Sequence, residues 1–237
     1  MEMTDPRQAR PDDVLAVIGE GTDPLSLIAL ADAIGVALTA TVRRITLSGA
    51  AMVPQAKRVL GELAQPSTLL AVLSGVEQPD NSGWRLLQRA VKPVVVVPAC
   101  GWPPTRKIGR ALVPLDGTPE SAAAVAGTVD LLAGAGVEIV ALHVYTAATI
   151  PKMQNHAVHA ERAWEAEFLS RYCAQPGVRL HVRSGATAEH VKDVATAEDV
   201  DLIVLGWSQQ LDEGRALTVR STIRDANVPV MLVPLAS

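Results

Sequence analysis

The stretch Arg110-Ala-Leu-Val-Pro-Leu-Asp-Gly-Thr-Pro-Glu-Ser121 decides how the chain is read. Residues 111–115 are a continuous apolar run, which predicts a strand buried on both faces rather than one half in water. Asp116-Gly117 breaks the run, and Thr118-Pro119-Glu120 opens a helix. Thr118 can cap the free amides, Pro119 suits the first helical position, and Glu120 complements the positive first turn. The strand therefore delivers one carboxylate, Asp116, beside a helix N-terminus. In an open parallel sheet that carboxyl edge is where ligands bind. An Asp at a strand end also commonly serves the turn itself, so the surrounding pattern has to decide between the two roles.

Outward from this stretch, strands and helices alternate. Toward the C-terminus the pattern predicts a helix over 119–133, a strand over 137–144 and a long helix over 152–173. A strand at 178–182, a helix opened by Thr187, a strand at 201–205, a loop from Gly206 to Gly214, a helix at 216–226 and a strand at 229–233 complete it. Toward the N-terminus it predicts a strand at 14–18, an apolar helix at 25–34 closed by Gly35 as a left-handed cap, and a strand within 36–45. An amphipathic helix at 55–64, a strand at 69–73, a short helix at 84–90 and a strand at 93–97 follow. Residues 99–109, with two glycines and two prolines, read as a linker.

The two halves match each other. Val17-Ile-Gly-Glu-Gly-Thr22 aligns without gaps on Val113-Pro-Leu-Asp-Gly-Thr118, and Val72-Leu-Ser74 corresponds to Val204-Leu-Gly206. Lys92-Pro-Val-Val-Val-Val-Pro98 corresponds to Val228-Pro-Val-Met-Leu-Val-Pro234. An internal duplication of an α/β unit explains this, with units over 13–98 and 108–235. The first copy is shorter: between Thr41 and Gln55 there is no place for the extra helix and strand of the second. Parallel sheets with right-handed crossovers are expected. The expectation is two sheets related by a pseudo-twofold, meeting near 93–97 and 229–233.

Composition narrows the function. Aromatic residues make up 3% of the 237 and the net charge is −4, so neither a base-stacking platform nor a basic footprint for nucleic acid is expected. Cys100 and Cys173 match no metal or redox spacing and read as free thiols of a reducing compartment. Without a signal-peptide core or a membrane-length apolar run, a cytoplasmic protein with no membrane partner is expected. His156 and His159 lie three apart with no third ligand in view, so no metal is expected. Ala160, Trp164, Phe168 and Tyr172 recur at every fourth residue and read as core or interface packing. Arg220 and Arg224 read as a solvated helix face. There is no nucleophile elbow, Walker loop or local Ser-His-Asp set, so no catalytic residue is assigned and no enzyme is expected.

Taken in order, Leu112-Val-Pro-Leu-Asp-Gly-Thr-Pro-Glu-Ser121, Ala141-Leu-His-Val144, Asp201-Leu-Ile-Val-Leu-Gly206 and the closing Val-Pro-Val-Met-Leu-Val-Pro234 resemble the universal stress protein family. The match covers 108–235 directly and 13–98 through the internal repeat. It implies a Rossmann-like five-stranded parallel sheet per copy, in a tandem form where the copies pair as the family's homodimers do. The result is an intramolecular pseudo-dimer, with further homodimerisation open. The resemblance also implies ATP, AMP or adenosine as the ligand of the second unit. Pro114 and Asp116, with Gly117 and Thr118, would line the adenine and ribose, and Val144 would face the base. Gly206 would begin a phosphate loop whose amides turn toward the anion, with Ser208, Gly214 and Arg215 beside it.

This chain departs from the family's phosphate loop, which reads Gly, two residues, Gly, nine residues, then Gly followed by Ser or Thr. Here Gln209 replaces the second Gly, the loop is shorter, and Asp212 and Glu213 add negative charge. In the first unit Glu20 stands where Asp116 stands in the second, and that unit is expected to bind nothing. The function expected is a non-catalytic stress-response protein holding an adenine nucleotide or nucleoside. The alternative is an interaction scaffold that has lost the ligand and acts on an unknown protein partner. A slow phosphohydrolase ranks last, lacking a placed general base beyond Asp116 and an obvious Mg²⁺ cage.

Overall fold

The computed structural model describes residues 12–19, 23–47, 52–74, 76, 82–145, 158–210 and 216–235. Strands and helices alternate throughout: β1 (Asp13–Ile18), α1 (Pro24–Leu38), β2 (Thr41–Thr46), α2 (Met52–Leu63), β3 (Thr68–Leu73), α3 (Ser82–Leu87) and β4 (Val94–Val96). The second unit runs β5 (Arg110–Leu115), α4 (Pro119–Gly134), β6 (Glu138–Tyr145), α5 (Val158–Tyr172), β7 (Arg179–Ser184), α6 (Thr187–Ala197), β8 (Leu202–Trp207), α7 (Leu217–Asp225) and β9 (Val230–Pro234). Of the helix expected over 152–173, residues 152–157 lie outside the described residues. No described helix is long and apolar enough to cross a membrane.

All of these strands join one nine-stranded sheet in the order β2-β1-β3-β4-β9-β8-β5-β6-β7. Every neighbouring pair is parallel except β4 and β9, which run antiparallel with Val94 opposite Leu232, Val95 opposite Met231 and Val96 opposite Val230. Read outward from that seam, both sides show the same strand order, and β7 is the one addition on the second side. The expected two sheets are therefore fused at the two strands expected to meet. The reason is local: each is the edge strand of its own unit, short and wholly apolar. Pairing satisfies two rows of open N–H and C=O groups at once.

The core is two apolar layers, one on each face of the sheet. Alternation along β4 and β9 sends Val94, Val96, Val230 and Leu232 to one layer and Val95, Val97, Met231 and Val233 to the other, so both layers cross the seam. Helices α1, α4 and α5 cover one face, while α2, α3, α6 and α7 cover the other. This explains the short first copy. Val59 and Leu63 of α2 bury on the same face as Val191 and Val194 of α6, so α2 corresponds to α6. Among the described residues, the first unit has no counterpart of α5 and β7.

Two expectations shift. Helix α1 runs past Gly35 to Leu38 and ends on Thr39, the left-handed residue at φ 54°. Gly35 instead permits close packing on β2, since a Cβ there would sit 2.9 Å from Val42 Cγ2 and 3.0 Å from the Ala40 carbonyl oxygen. The linker is not loose. Asp201 accepts from Arg106 Nε at 3.0 Å and from the amides of Gly109 and Arg110 at 2.8 and 3.1 Å. Trp102 is buried with the Arg106 guanidinium 5.0 Å above its ring.

Candidate functional site

The site begins where β5 stops. Asp116 Oδ1 accepts from the Thr118 amide at 2.9 Å and from Thr118 Oγ1 at 2.8 Å. Thr118 Oγ1 in turn accepts from the Ser121 amide at 3.3 Å and caps α4, with Pro119 in the first turn. Asp116 is thus a turn residue, but only through one oxygen. Oδ2 makes no hydrogen bond to a described residue, and the side chain is exposed. Gly117 has φ 82°, and a Cβ there would lie 3.2 Å from His143 Cε1 and 3.6 Å from Phe168 Cε2. Backbone conformation and close approach both demand glycine.

Asp116 stands between two cavities. One, of about 290 Å³, has Gly117, His143, Tyr145, Trp164, Phe168 and Tyr172 on its walls, with Glu167 and Arg171 alongside. The other, of about 210 Å³, is more hydroxylic: Thr118, Ser121, Gly206, Ser208 and Gln210 line it. His143 is buried and its Nδ1 donates to the Leu115 carbonyl at 2.9 Å, so the ring sits under the strand end that carries Asp116. Around it the rings of Tyr145 and Phe168 both lie with centroids 4.7 Å away, and Trp164 5.9 Å away. Burial pushes the Tyr145 phenol above its ordinary range, which keeps it a hydrogen-bond donor.

Of the residues singled out in the sequence, Asp116, Gly117, Thr118, Gly206 and Ser208 come together around these cavities. Pro114 and Val144 line neither. Val144 is buried in the layer beneath α6, on the face opposite His143 and Tyr145. Gly214 and Arg215 lie outside the described residues, as do Glu20, Asp212, Glu213 and His156. Among the described residues no group of His, Cys, Asp and Glu is poised to hold a metal. Sequence reasoning missed His143 and Tyr145, although strand alternation places both on the face opposite Val144. It noticed Trp164, Phe168 and Tyr172 and assigned them to packing alone.

Gln209 departs from the loop pattern with a structural consequence. Its φ is 61°, the left-handed conformation that glycine adopts freely. Its side chain does what glycine cannot: Nε2 donates to the carbonyls of Leu87 at 3.1 Å and Ala90 at 2.6 Å, at the end of α3. The residue that stands where the pattern has its second glycine here ties the second unit to the end of α3. Trp207, two residues earlier, meets Trp84 of α3 with ring centroids 5.9 Å apart.

The family model described as the universal stress protein family matches residues 107–234, more than half of the chain. The chain belongs to the universal stress protein family. No curated protein matches its sequence. Among solved structures, a functionally unknown protein from Pseudomonas aeruginosa PAO1 is similar at 16% identity, covering 95% of this chain and 93% of that one, with a TM-score of 0.63. A universal stress protein from Archaeoglobus fulgidus DSM 4304 is similar at 13% identity, covering 95% of this chain and 97% of its own, with a TM-score of 0.63. At such identities the likeness is one of fold. It spans both halves of this universal stress protein, in keeping with two units in tandem.

Proposed function

We propose that this tandem universal stress protein binds an adenine nucleotide or nucleoside in its second unit, 108–235, in a stress-response role and without turning the ligand over. The first unit, 13–98, serves as a built-in pairing partner. One observation carries the reading: Asp116 stands at the carboxyl edge of a parallel sheet, between an aromatic cavity and a hydroxyl-lined one. Oδ1 is fixed by Thr118 and Oδ2 is left for a ligand. That is the acceptor a ribose hydroxyl needs at the joint between base and phosphate. The described residues place no second carboxylate or histidine in hydrogen-bond contact with Asp116, which favours binding over chemistry. The scaffold reading keeps one supporting observation, the commitment of Gln209 to α3.

Titration calorimetry of adenosine into the wild type and Asp116→Asn tests the reading. Asn retains an oxygen for Thr118, so thermal melts should agree, but the charged acceptor is lost. A hydrogen bond to a charged group is worth about 1.5–3 kcal/mol, so affinity should fall roughly ten- to 150-fold. Equal affinities in the two proteins contradict the proposal.

A further inference from the structure

Resting on the nucleoside reading above, we propose that the ligand's base enters the aromatic cavity against α5 rather than lying over Val144. That cavity selects a planar heteroaromatic ring with N–H donors on its edge. The chain has four Trp, two Tyr and one Phe. Both tyrosines, the phenylalanine and Trp164 face this one cavity of about 290 Å³. A chain this poor in aromatics does not gather them by chance, and packing accounts for only some of their surface. His143 and Phe168 are buried and form the floor, whereas Tyr145, Trp164 and Tyr172 are only partly buried. Trp164 and Tyr172 pack on Phe168 with ring centroids 5.2 and 4.8 Å away and still keep exposed surface beside the cavity, and exposed ring surface is what a flat ligand stacks on.

The polar groups of the cavity define the edge of the ring they would meet. His143 uses Nδ1 to donate to Leu115, which leaves Nε2 as an acceptor in the neutral ring. Asp116 adds an acceptor, and Glu167 a carboxylate that shares its charge with Arg171 at 2.5 Å. Tyr145 and Arg171 set donors beside these acceptors, which suits the mixed edge of an adenine, an amino group next to a ring nitrogen. Asp116 also lines the second cavity, so a base on one side of it and the remainder of a nucleoside on the other meet at the same carboxylate. Val144 cannot supply an equivalent surface, because its side chain is spent in the opposite layer of the core.

The test titrates adenosine into the full chain and into Trp164→Ala and Trp164→Phe, with thermal melts as a folding check. Loss of a stacking ring should weaken adenosine roughly five- to 150-fold in Trp164→Ala, while Trp164→Phe stays near wild type. Should Trp164→Ala fail to fold, intermolecular NOEs on the wild type decide. Contacts from the base protons to the rings of Trp164 or Phe168 support the proposal, and contacts to the Val144 methyls overturn it. Adenosine binding equally well to the wild type and Trp164→Ala overturns this placement of the base and leaves the nucleoside reading standing. No adenosine binding to the wild type removes both.

Discussion

Gln209 is the residue at which the two possible uses of this fold compete. A left-handed backbone at a non-glycine residue costs about 1–2 kcal/mol, and two hydrogen bonds to the end of α3 offset it. In Gln209→Ala the backbone cost stays and the bonds go, so denaturant unfolding should show a loss of about 1–3 kcal/mol, at roughly 0.5–1.5 per bond. Gln209→Gly relieves the backbone and should lose less. A neutral Gln209→Ala means the contact with α3 does not hold the units together. Cys173 gives a second residue-scale prediction. Burial, and then the nearby Asp130 carboxylate, push its thiol up to about 11 from an ordinary 9.0. The folded state therefore favours the neutral thiol. That contribution to stability is complete below pH 9 and disappears as the pH rises through 11. A thiol reagent at neutral pH should label the exposed Cys100 quickly and Cys173 only on unfolding. Equal rates in the native protein contradict the burial. The Asp116-Thr118-Pro119 turn was legible in the sequence because its hydrogen bonds span only a few residues. His143 was not, since its role depends on Gly117 and α5 arriving from elsewhere in the chain.

Among elements, the seam strands carry the most consequence. β4 and β9 read plainly as strands, from Val-rich runs flanked by proline, and their meeting was legible from the repeat. Their fusion into one sheet was not, because periodicity within a strand says nothing of which edge it offers. The same limit hid the missing α5–β7 pair: only the face on which α2 buries Val59 and Leu63 reveals which crossover was lost. Gly35 misled for a related reason, since a close approach to β2 and a helix stop look alike in sequence. If edge pairing drives the seam, a chain cut to 108–235 leaves β9 uncovered and should self-associate through it. Sedimentation of that fragment should give a dimer, broken by Leu232→Pro, which removes an amide donor from the new edge, since residues 229 and 235 of the same strand bond to β8 and Leu232 therefore faces the other way. A folded, monomeric fragment contradicts the account.

For the molecule as a whole, duplication has let the two units diverge. One unit contributes strands, two helical layers and the α3 end to which Gln209 binds. The other keeps a carboxylate and two cavities at the carboxyl edge of its strands. The central claim is that the nucleoside part of the site is retained while the phosphate loop has been turned into a contact between units. Titration calorimetry of ATP and adenosine against the same protein tests it most directly. Affinities within about tenfold of each other are expected, a difference under roughly 1.4 kcal/mol. ATP binding more than tenfold tighter than adenosine contradicts it, because the loop would then still be holding phosphate.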